Sequence, residues 1–258
     1  MSPGPRTVAV IPAHDESATV EDVVRRAARH VDRVLLIDDG STDDTGARAA
    51  AAGATVLRLD PNRGKGAALV HGLEAARAAG AERIVTLDAD GEHDPDQIPA
   101  FLAALDDHDV AIGFREVYRS GARRALNALA LFWFRVLDPS IRDTICGFRG
   151  FRAEALPAVH NTAGGFVYEH EVLLRAVAAG LRMTSVPVAT TPSASSHVTP
   201  REMLRANNHF DRWVLGALST LPLPAWRKSL LAVGCAAGLA LGAPAAWALD
   251  RAARRPGG

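Results

Sequence analysis

The first ninety residues repeat one pattern: a short apolar run typical of a β-strand, a polar loop, and a segment with apolar residues at helical spacing. The apolar runs cover residues 7–11, 33–37, 55–59 and 83–87, and further runs follow at 109–113 and 181–190. Strands that alternate with helices predict a mostly parallel sheet with right-handed crossovers. We therefore expect an α/β fold with helices flanking the sheet, and Thr19 and Asp22 as a capping pair of the first helix.

The bulk properties of the chain narrow its class. Its 258 residues suffice for one large or two small domains. Basic and acidic side chains balance at 29 each, so nothing indicates a general nucleic-acid binder. Cys146 and Cys235 lie too far apart in sequence for a metal-type pair, which fits a reducing compartment. The N-terminal residues lack the pattern of a secretory signal, so we expect chemistry on the cytoplasmic side.

An acidic turn, residues 87–94 with the sequence LDADGEHD, follows the fourth apolar run. Asp88 and Asp90 are two residues apart, and Gly91 allows a sharp turn that brings Glu92 to the same point. Carboxylates this close repel each other unless a cation lies among them. Hard oxygen ligands of this kind suit Mg²⁺ or Mn²⁺ shared with substrate phosphates. The alternative is a solvated acidic loop in which Asp94 caps a helix that starts with a proline.

Two other strands also end in polar clusters, which should lie at the same edge of the sheet. His14, Asp15 and Glu16 follow the first strand, and Asp38 and Asp39 follow the second. Open α/β sheets bind their ligands at the carboxyl ends of the strands, so a nucleotide should lie here. Helix capping is the alternative, but capping needs one residue per helix and these loops supply two or three.

A basic loop, residues 61–66 with the sequence PNRGKG, follows the third strand. It lacks the GxxxxGK[ST] spacing of a Walker A loop. Arg63 and Lys65 lie between small residues, so charge and backbone N–H groups together favour contact with a diphosphate. A plain basic turn is the alternative.

Four motifs in this order carry a resemblance to a known family. They are VAVIPAHDES, LLIDDGSTDDT, NRGKGAAL and LDADGEHDPDQIP, with CGFRGFR and YEHEVLLRAVAAG further along. Together they resemble family 2 glycosyltransferases of the GT-A fold, and most of all the dolichol-phosphate or polyprenyl-phosphate sugar transferases. The resemblance covers residues 6–190. It implies metal-dependent transfer of a sugar, with inversion, from a UDP- or GDP-sugar to a polyprenyl phosphate such as dolichyl or undecaprenyl phosphate.

The resemblance also implies roles for particular residues. The donor and its metal would be held by Pro12, His14, Glu16, Asp38, Asp39, Lys65, Asp88, Ala89, Arg115 and Arg201. Asp38 or Asp39 would contact the base or the ribose, and Asp88 and Asp90 would be the DXD pair that holds metal and diphosphate. Glu92, a third metal ligand, stands where glutamine is common in the family, which leaves the donor preference open.

The catalytic candidates are Asp90, Arg149, Glu169 and Glu171. Arginine recognises phosphate oxygens bidentately, so Arg149 is expected to bind the acceptor phosphate or the diphosphate. Glu169 and Glu171 begin a predicted helix, where acids simply complement the helix dipole. They are also the candidate general bases if the acceptor is a hydroxyl group. Arg201 lies in a loop and helix that is expected to close over the donor.

Two segments indicate contact with a membrane. Residues 119–137 combine an arginine cluster (Arg119, Arg123, Arg124) with an apolar helical surface, which is typical of an interfacial helix. Residues 229–249 carry no charge and are long enough to span a bilayer, although their hydropathy is marginal. For each segment the alternative is a helix packed on the domain. We expect a transferase domain over residues 1–215, a membrane-associated hydrophobic tail over 216–258, and a location at the cytoplasmic face of the cell membrane.

Other functions fit parts of the sequence. A family 2 glycosyltransferase acting on a saccharide or small-molecule hydroxyl would share the donor site. A sugar-nucleotide nucleotidyltransferase would share the sheet and the metal acids, but it usually carries a glycine-rich loop where this chain has PAHDES. A haloacid-dehalogenase-like phosphatase would need a DxDx[TV] pattern, which Glu92 breaks. A non-catalytic scaffold is the remaining class.

Overall fold

The computed structural model describes residues 6–115, 131–161, 166–190 and 200–238, and among these it leaves out the side chains of 166 and 200–206. Several sequence-based expectations lie outside the described residues. These are the arginine cluster at 119–124, the side chain of Arg201, and the tail beyond residue 238.

Strands and helices alternate along the described chain. The strands are β1 (Thr7–Ala13), β2 (Arg33–Asp39), β3 (Thr55–Leu59), β4 (Arg83–Thr86), β5 (Val110–Arg115), β6 (Arg149–Arg152) and β7 (Met183–Val188). The helices are α1 (Val20–Ala27), α2 (Thr45–Ala51), α3 (Lys65–Ala78), α4 (Ile98–Ala104), α5 (described over 131–137), α6 (Leu156–Val159), α7 (Phe166–Ala178), α8 (Pro200–Ala217) and α9 (described over 225–238).

The strands form one sheet in the order β3-β2-β1-β4-β6-β5-β7. The neighbours β3, β2, β1 and β4 pair in parallel, as do β5 and β7, whereas β6 pairs antiparallel with both β4 and β5. The predicted α/β fold with a mostly parallel sheet is therefore confirmed. Strand β6 was not predicted, because a four-residue strand that contains two arginines and a glycine lacks the apolar run on which the prediction depended.

Helix α3 packs closely against the sheet at Gly72, and this contact helps to position its first residue, Lys65. A Cβ atom added at Gly72, in the middle of α3, would lie 2.8 Å from Cγ1 of Ile37 and would also overlap Val10. Glycine allows this approach, because even a methyl group at this position would overlap the side chains of Val10 on β1 and Ile37 on β2. The N-terminus of α3 is thereby held beside the carboxyl ends of those strands.

The predicted capping pair of α1 is wrong. Thr19 makes no side-chain cap to the helix. Its hydroxyl group donates instead to the carbonyl oxygen of Ala89 at 2.7 Å, which ties the start of α1 to the acidic turn. The hydroxyl proton goes to a long-range acceptor, and the hydroxyl oxygen receives no hydrogen bond from the first turn of the helix. The cap at Asp94 is confirmed, since its carboxylate accepts the backbone N–H of Asp96 at 3.1 Å.

Helix α9 packs on the rest of the protein with one face. Leu231 and Cys235 are fully buried and belong to the same core cluster as residues of β1 and α3. Gly234 lies against the ring of Trp133 on α5, and Gly238 lies against the carboxylate of Asp211 on α8. Within the described ranges, no helix has both the length and the apolar character that crossing a membrane requires. The division into 1–215 and 216–258 stays a prediction.

Asp211 is the exception in this apolar contact between α8 and α9, and it gives a testable prediction. It is only 6% exposed, and burial raises its pKa to about 6. Its neutral form therefore stabilises the fold below about pH 4, and this contribution is lost as the pH rises through about 4 to 6. We expect Asp211→Asn to increase the free energy of unfolding at pH 7.5 by on the order of 1 kcal/mol.

Urea unfolding of both proteins at pH 4, 5, 6 and 7.5 measures this difference. Asp107→Asn, a change at an exposed acid, is the control. A difference between Asp211→Asn and wild type that does not grow with pH would contradict the prediction.

Candidate active site

The loops at the carboxyl edge of the sheet are interlocked by hydrogen bonds. Nδ1 of His14 lies 3.0 Å from the carbonyl oxygen of Asp39, and the backbone N–H of Glu16 donates to Oγ1 of Thr45 at 2.8 Å. Pro12 is buried in β1, in register with Ile37 of β2. The structure therefore brings together the two loops that the sequence placed at a nucleotide site.

Asp38 is occupied in holding its own loop. Its Oδ1 accepts the backbone N–H of Ser41 at 2.8 Å, and its Oδ2 accepts Nη1 of Arg58 at 2.6 Å. A contact between Asp38 and the base or ribose stays a prediction. The ion pair with Arg58 on β3, whose side chain is half exposed, was not expected from the sequence.

Asp39 connects the second loop to the basic loop. Its Oδ1 accepts the backbone N–H of Arg63 at 2.8 Å, and its Oδ2 accepts that of Gly64 at 2.7 Å. These N–H groups precede α3, so the carboxylate also lies favourably with respect to the helix dipole. Asp39 thereby sets the position of Lys65, the first residue of α3. Its own contact with a nucleotide stays a prediction.

The side chains of the acidic turn point to different partners. The backbone N–H of Glu92 donates to Oδ1 of Asp90 at 2.9 Å, which closes the turn. The Glu92 carboxylate accepts Nη1 of Arg115 at 3.2 Å, and Arg115 also pairs with the fully buried Asp143 at 3.1 Å. The expected role of Glu92 as a metal ligand therefore stays a prediction. Asp143 was not foreseen as the partner of Arg115, since 27 residues separate them.

Electrostatics within the turn differ between its two aspartates. Burial raises the pKa of Asp90, and the charges of Asp88 and Glu92 add to this against the hydrogen bond from the Glu92 N–H. Burial acts in the same direction on Asp88, but the charge and hydrogen bond of Lys65, with His93 and Arg115 as further causes, together outweigh it and lower the pKa of that carboxyl group. A cation therefore already compensates Asp88, whereas Asp90 lacks such compensation.

Glu16 extends this acidic environment to the first loop. Burial raises its pKa to about 6, with the charges of Asp90 and Asp88 as the next causes. In the described part of the chain, no three His, Cys, Asp or Glu side chains converge closely enough to hold a metal by themselves. The carboxylates are close enough to repel one another, but they do not form a finished ligand cage.

Lys65 lies between Asp88 and Glu169. Its Nζ is 2.7 Å from Oδ1 of Asp88 and 3.5 Å from Oε1 of Glu169. Burial alone would lower the pKa of Lys65, but the two carboxylates raise it above its usual value. The other oxygen of Glu169, Oε2, is buried without a hydrogen-bond partner. Glu169 therefore belongs to the same cluster as the DXD pair.

Glu171 has a different environment from Glu169. One of its oxygens accepts Nε of Arg175 at 2.8 Å, and the other pairs with Nε2 of His209 on α8. Its contacts join α7 to α8, away from Lys65 and Asp88. The sequence treated the two glutamates as equivalent, and the structure separates them.

Arg149 does not present a fork for phosphate in this structure, so that expectation needs correction. The side chain is 2% exposed, and its guanidinium donates to three backbone carbonyls, those of Thr144, Cys146 and Glu169, at 2.9 to 3.2 Å. These bonds hold the segment before β6 and the start of α7. We therefore regard Arg149 as a residue that positions Glu169.

His93 lies in the acidic turn, and the sequence indicated no role for it. It is buried, its Nδ1 lies 4.0 Å from Oδ2 of Asp88, and its Nε2 lies 3.5 Å from Sγ of Cys146. Burial lowers the pKa of His93, so a neutral ring backs the carboxylate of Asp88. The partner Cys146 follows 53 residues later, and no local signal could have linked them.

Gly147 gives a prediction about the tolerance of this cluster. A Cβ atom added there would lie 2.7 Å from Oδ2 of Asp88 and 3.0 Å from Nζ of Lys65. We expect Gly147→Ala to displace the Lys65–Asp88 pair and to reduce turnover by about tenfold or more, since roughly an ångström of misplacement in a catalytic cluster costs up to 10²-fold.

Gly216→Ala is the matched control, because an added Cβ meets nothing within 4 Å there and the change favours helix α8. Activity and the midpoint of thermal unfolding are measured for both variants. Wild-type turnover in Gly147→Ala would contradict the described packing.

Comparison with solved structures shows a shared fold. Glucosyl-3-phosphoglycerate synthase from Mycobacterium tuberculosis, solved with Mn²⁺, uridine-diphosphate-glucose and phosphoglyceric acid, superposes with a TM-score of 0.66 at 23% identity. The match covers 81% of this chain and 80% of that one. At this identity the likeness establishes the GT-A-type architecture alone.

Sequence relatives are closer in identity. The polyprenol monophosphomannose synthase of Mycolicibacterium smegmatis is 30% identical over 212 residues, which covers 73% of this chain and 78% of that protein. The undecaprenyl-phosphate mannosyltransferase of Micrococcus luteus is 28% identical, with 71% and 82% covered. The UDP-N-acetylglucosamine–dolichyl-phosphate N-acetylglucosaminyltransferase of Methanococcus voltae is 26% identical, with 70% and 84% covered.

The family model "Glycosyl transferase family 2" matches residues 8–174. This range runs from β1 to α7 and includes the interlocked loops, the acidic turn and the Lys65 cluster. It covers more than half of the chain. The chain therefore belongs to the family 2 glycosyltransferases.

Proposed function

We propose that this glycosyltransferase moves a sugar, with inversion, from a nucleotide diphosphate donor to a polyprenyl phosphate in a reaction that depends on Mg²⁺ or Mn²⁺. The nucleotide would lie across the carboxyl edge of β1, β2 and β4, where the hydrogen-bonded loops that carry His14, Glu16 and Asp38 lie side by side. Three relatives that bear the names of polyprenyl- or dolichyl-phosphate sugar transferases support the acceptor class. The donor is a UDP-sugar or a GDP-sugar, with the sugar itself not specified.

The observation that carries the lipid acceptor is an apolar surface, defined here as Phe132 on α5 with Trp226, Leu230 and Val233 on α9. In the described part of the chain these are the exposed large apolar side chains, and they reach 72% exposure at Val233. The three residues of α9 recur at helical spacing, so they form one stripe. Helix α9 contacts α5 through Gly234 and Trp133, which are the sequence neighbours of Val233 and Phe132.

The carboxylates present fit a divalent ion. Mg²⁺ in phosphoryl sites is usually held by one or two carboxylates together with substrate phosphates, so Asp88 and Asp90 suffice without a complete cage. The raised pKa of Asp90, caused first by burial and then by neighbouring charges, is the condition that a cation would relieve. An ion bound there would neutralise the charge that develops on the leaving diphosphate.

A phosphate acceptor needs little help from a base, because its attacking oxygen is already ionised. In this reaction Glu169 serves to hold Lys65, and Arg149 holds the backbone of Glu169. Glu171 is engaged with Arg175 and His209 and takes no part in the chemistry. In this reaction Asp88 and Asp90 would therefore hold the ion and the donor, and Lys65 would act through its ion pair with Asp88.

A second candidate acceptor is a hydroxyl group, and one observation favours it. Oε2 of Glu169 is buried and lacks a hydrogen-bond partner, so it is able to accept a proton from a hydroxyl group bound nearby. Transfer to a hydroxyl group would therefore depend strongly on the Glu169 carboxylate, whereas transfer to a phosphate would depend on it little.

Glu169→Gln and Glu171→Gln separate the two acceptors. With a lipid phosphate we expect Glu169→Gln to lose less than about tenfold in kcat, because no proton must be removed. With a hydroxyl acceptor the loss should reach about 10²–10⁴-fold, the usual contribution of a general base. Glu171→Gln should leave either reaction nearly unchanged, since its contacts lie between α7 and α8.

The assay measures transfer from each nucleotide sugar to undecaprenyl phosphate and to free saccharides, with Mn²⁺ and with chelator. Asp90→Asn is the inactive reference. Transfer to a saccharide alone, abolished by Glu169→Gln, would overturn the lipid acceptor but not the donor half of the proposal.

The apolar surface gives a prediction about membranes. Arg227 and Lys228 lie at the start of α9 beside the stripe, so the surface fits an anionic bilayer. We expect Val233→Asp to weaken binding to phosphatidylglycerol vesicles by about tenfold or more, since burying a valine side chain is worth about 1.5–3 kcal/mol. A truncation that removes residue 229 and everything after it would be a poorer test of membrane binding, because it would also remove the core residues Leu231 and Cys235.

Ala232→Asp is the control: the position is half-exposed on α9 and, one residue before Val233, lies about 100° around the helix from it. Co-sedimentation with vesicles and donor hydrolysis are measured for both variants. Equal partitioning of Val233→Asp and Ala232→Asp would contradict the membrane contact.

A further inference from the structure

The ammonium group of Lys65 occupies the position beside Asp88 that a divalent ion would need. Its distance to Oδ1 of Asp88 is 2.7 Å, the length of a charge-assisted hydrogen bond. Contact with Glu169 is looser, at 3.5 Å. Lys65 therefore pairs mainly with Asp88.

Glu169 is able to take over this ammonium group. Its Oε2 is buried and has no hydrogen-bond partner, although a buried carboxylate oxygen is costly without one. A lysine carries three N–H donors and a flexible stem, so a small rotation would bring Nζ to Glu169. The destination of the movement is already next to Lys65.

The wall opposite Lys65 is formed by backbone. A Cβ atom at Gly147 would come within 3.0 Å of both Nζ of Lys65 and the carboxylate of Asp88. Glycine therefore leaves the ammonium group the space between the two carboxylates. Arg149 fixes the far side, because it binds the carbonyl oxygen of Glu169 at 2.9 Å.

We propose that Lys65 is a positioning residue that competes with the divalent ion for Asp88 and transfers to Glu169 when the ion and donor bind. The inference rests on the proposed function, since it requires an ion at Asp88. An ammonium group and a divalent ion repel each other at contact distance, so ion entry drives Lys65 toward the unpartnered oxygen. The transfer moves the positive charge of Lys65 from Asp88 to Glu169.

The competing explanation is the sequence-based one, in which Lys65 binds the diphosphate directly. The two explanations predict opposite effects in protein without donor. Removal of a diphosphate ligand leaves ion affinity unchanged and weakens donor binding. Removal of a competitor for Asp88 strengthens ion binding before any donor is present.

The decisive variant is Lys65→Met, which removes the charge and keeps most of the volume. We expect calorimetric titration of the full chain with Mn²⁺, without donor, to show about tenfold tighter binding, equivalent to about 1.4 kcal/mol. Arg63→Met is the matched control, because it removes an exposed positive charge from the same basic loop. Lys65→Arg keeps the charge and should keep the weak ion binding of the wild type.

Glu169→Gln tests the destination. It should weaken Mn²⁺ binding in the wild-type background, because Lys65 then has no alternative to Asp88. In the Lys65→Met background the same change should have little effect, and this difference is the coupling energy of a double-mutant cycle. Thermal unfolding of each variant confirms that it is folded.

Mn²⁺ affinity of Lys65→Met within the range of Arg63→Met would overturn the proposal, while sugar transfer by the wild type would leave the proposed function standing. If Lys65→Met does not fold, unchanged affinity in Glu169→Gln overturns it instead. Sugar transfer by the wild type in chelated buffer would reject the metal and, with it, this role of Lys65.

Discussion

The ion pair between Lys65 and Asp88 is the contact on which the arrangement of the site depends. Asp88 belongs to the turn after β4, whereas Lys65 begins α3. Their encounter requires that α3 approach the sheet closely at Gly72 and that Asp39 hold the N–H groups just before the helix. A buried carboxylate without this partner would be protonated or would destabilise the turn. The packing of α3 is therefore also a determinant of the charge state of the site.

Sequence reasoning predicted the sheet well because its strands carry local signals. The runs that became β1, β2 and β3 are apolar or β-branched and are bounded by polar loops, so periodicity alone identifies them. Strand β6 was not predicted, because its residues form a strand through pairing with β4 and β5, which lie far away in sequence. Tertiary pairing outweighed weak local preference there. The hydroxyl of Thr19, bound to Ala89 instead of capping α1, shows the same effect on a smaller scale.

The sequence correctly placed the polar loops at one edge of the sheet, but it did not predict the contacts among their side chains. Residue type alone indicated an arginine for phosphate and two glutamates for a base. The structure uses Arg149 for three carbonyls and Glu171 for the contact with α8, and it leaves Glu169 in the cluster. Which of two similar acids faces the site depends on the rotation of α7 against the sheet. That rotation is a property of the packed core, and a motif does not contain it.

The charge balance of the cluster bears on why a cation should be needed. Four carboxylates, those of Glu16, Asp88, Asp90 and Glu169, lie near one ammonium group, that of Lys65. A nucleotide diphosphate and a phosphate acceptor would each add negative charge to this excess. Because unlike charges attract more strongly where water is excluded, a divalent ion held by Asp88 and Asp90 would offset this excess of negative charge. With such an ion, the acidic turn would attract the anionic donor that its carboxylates alone would repel.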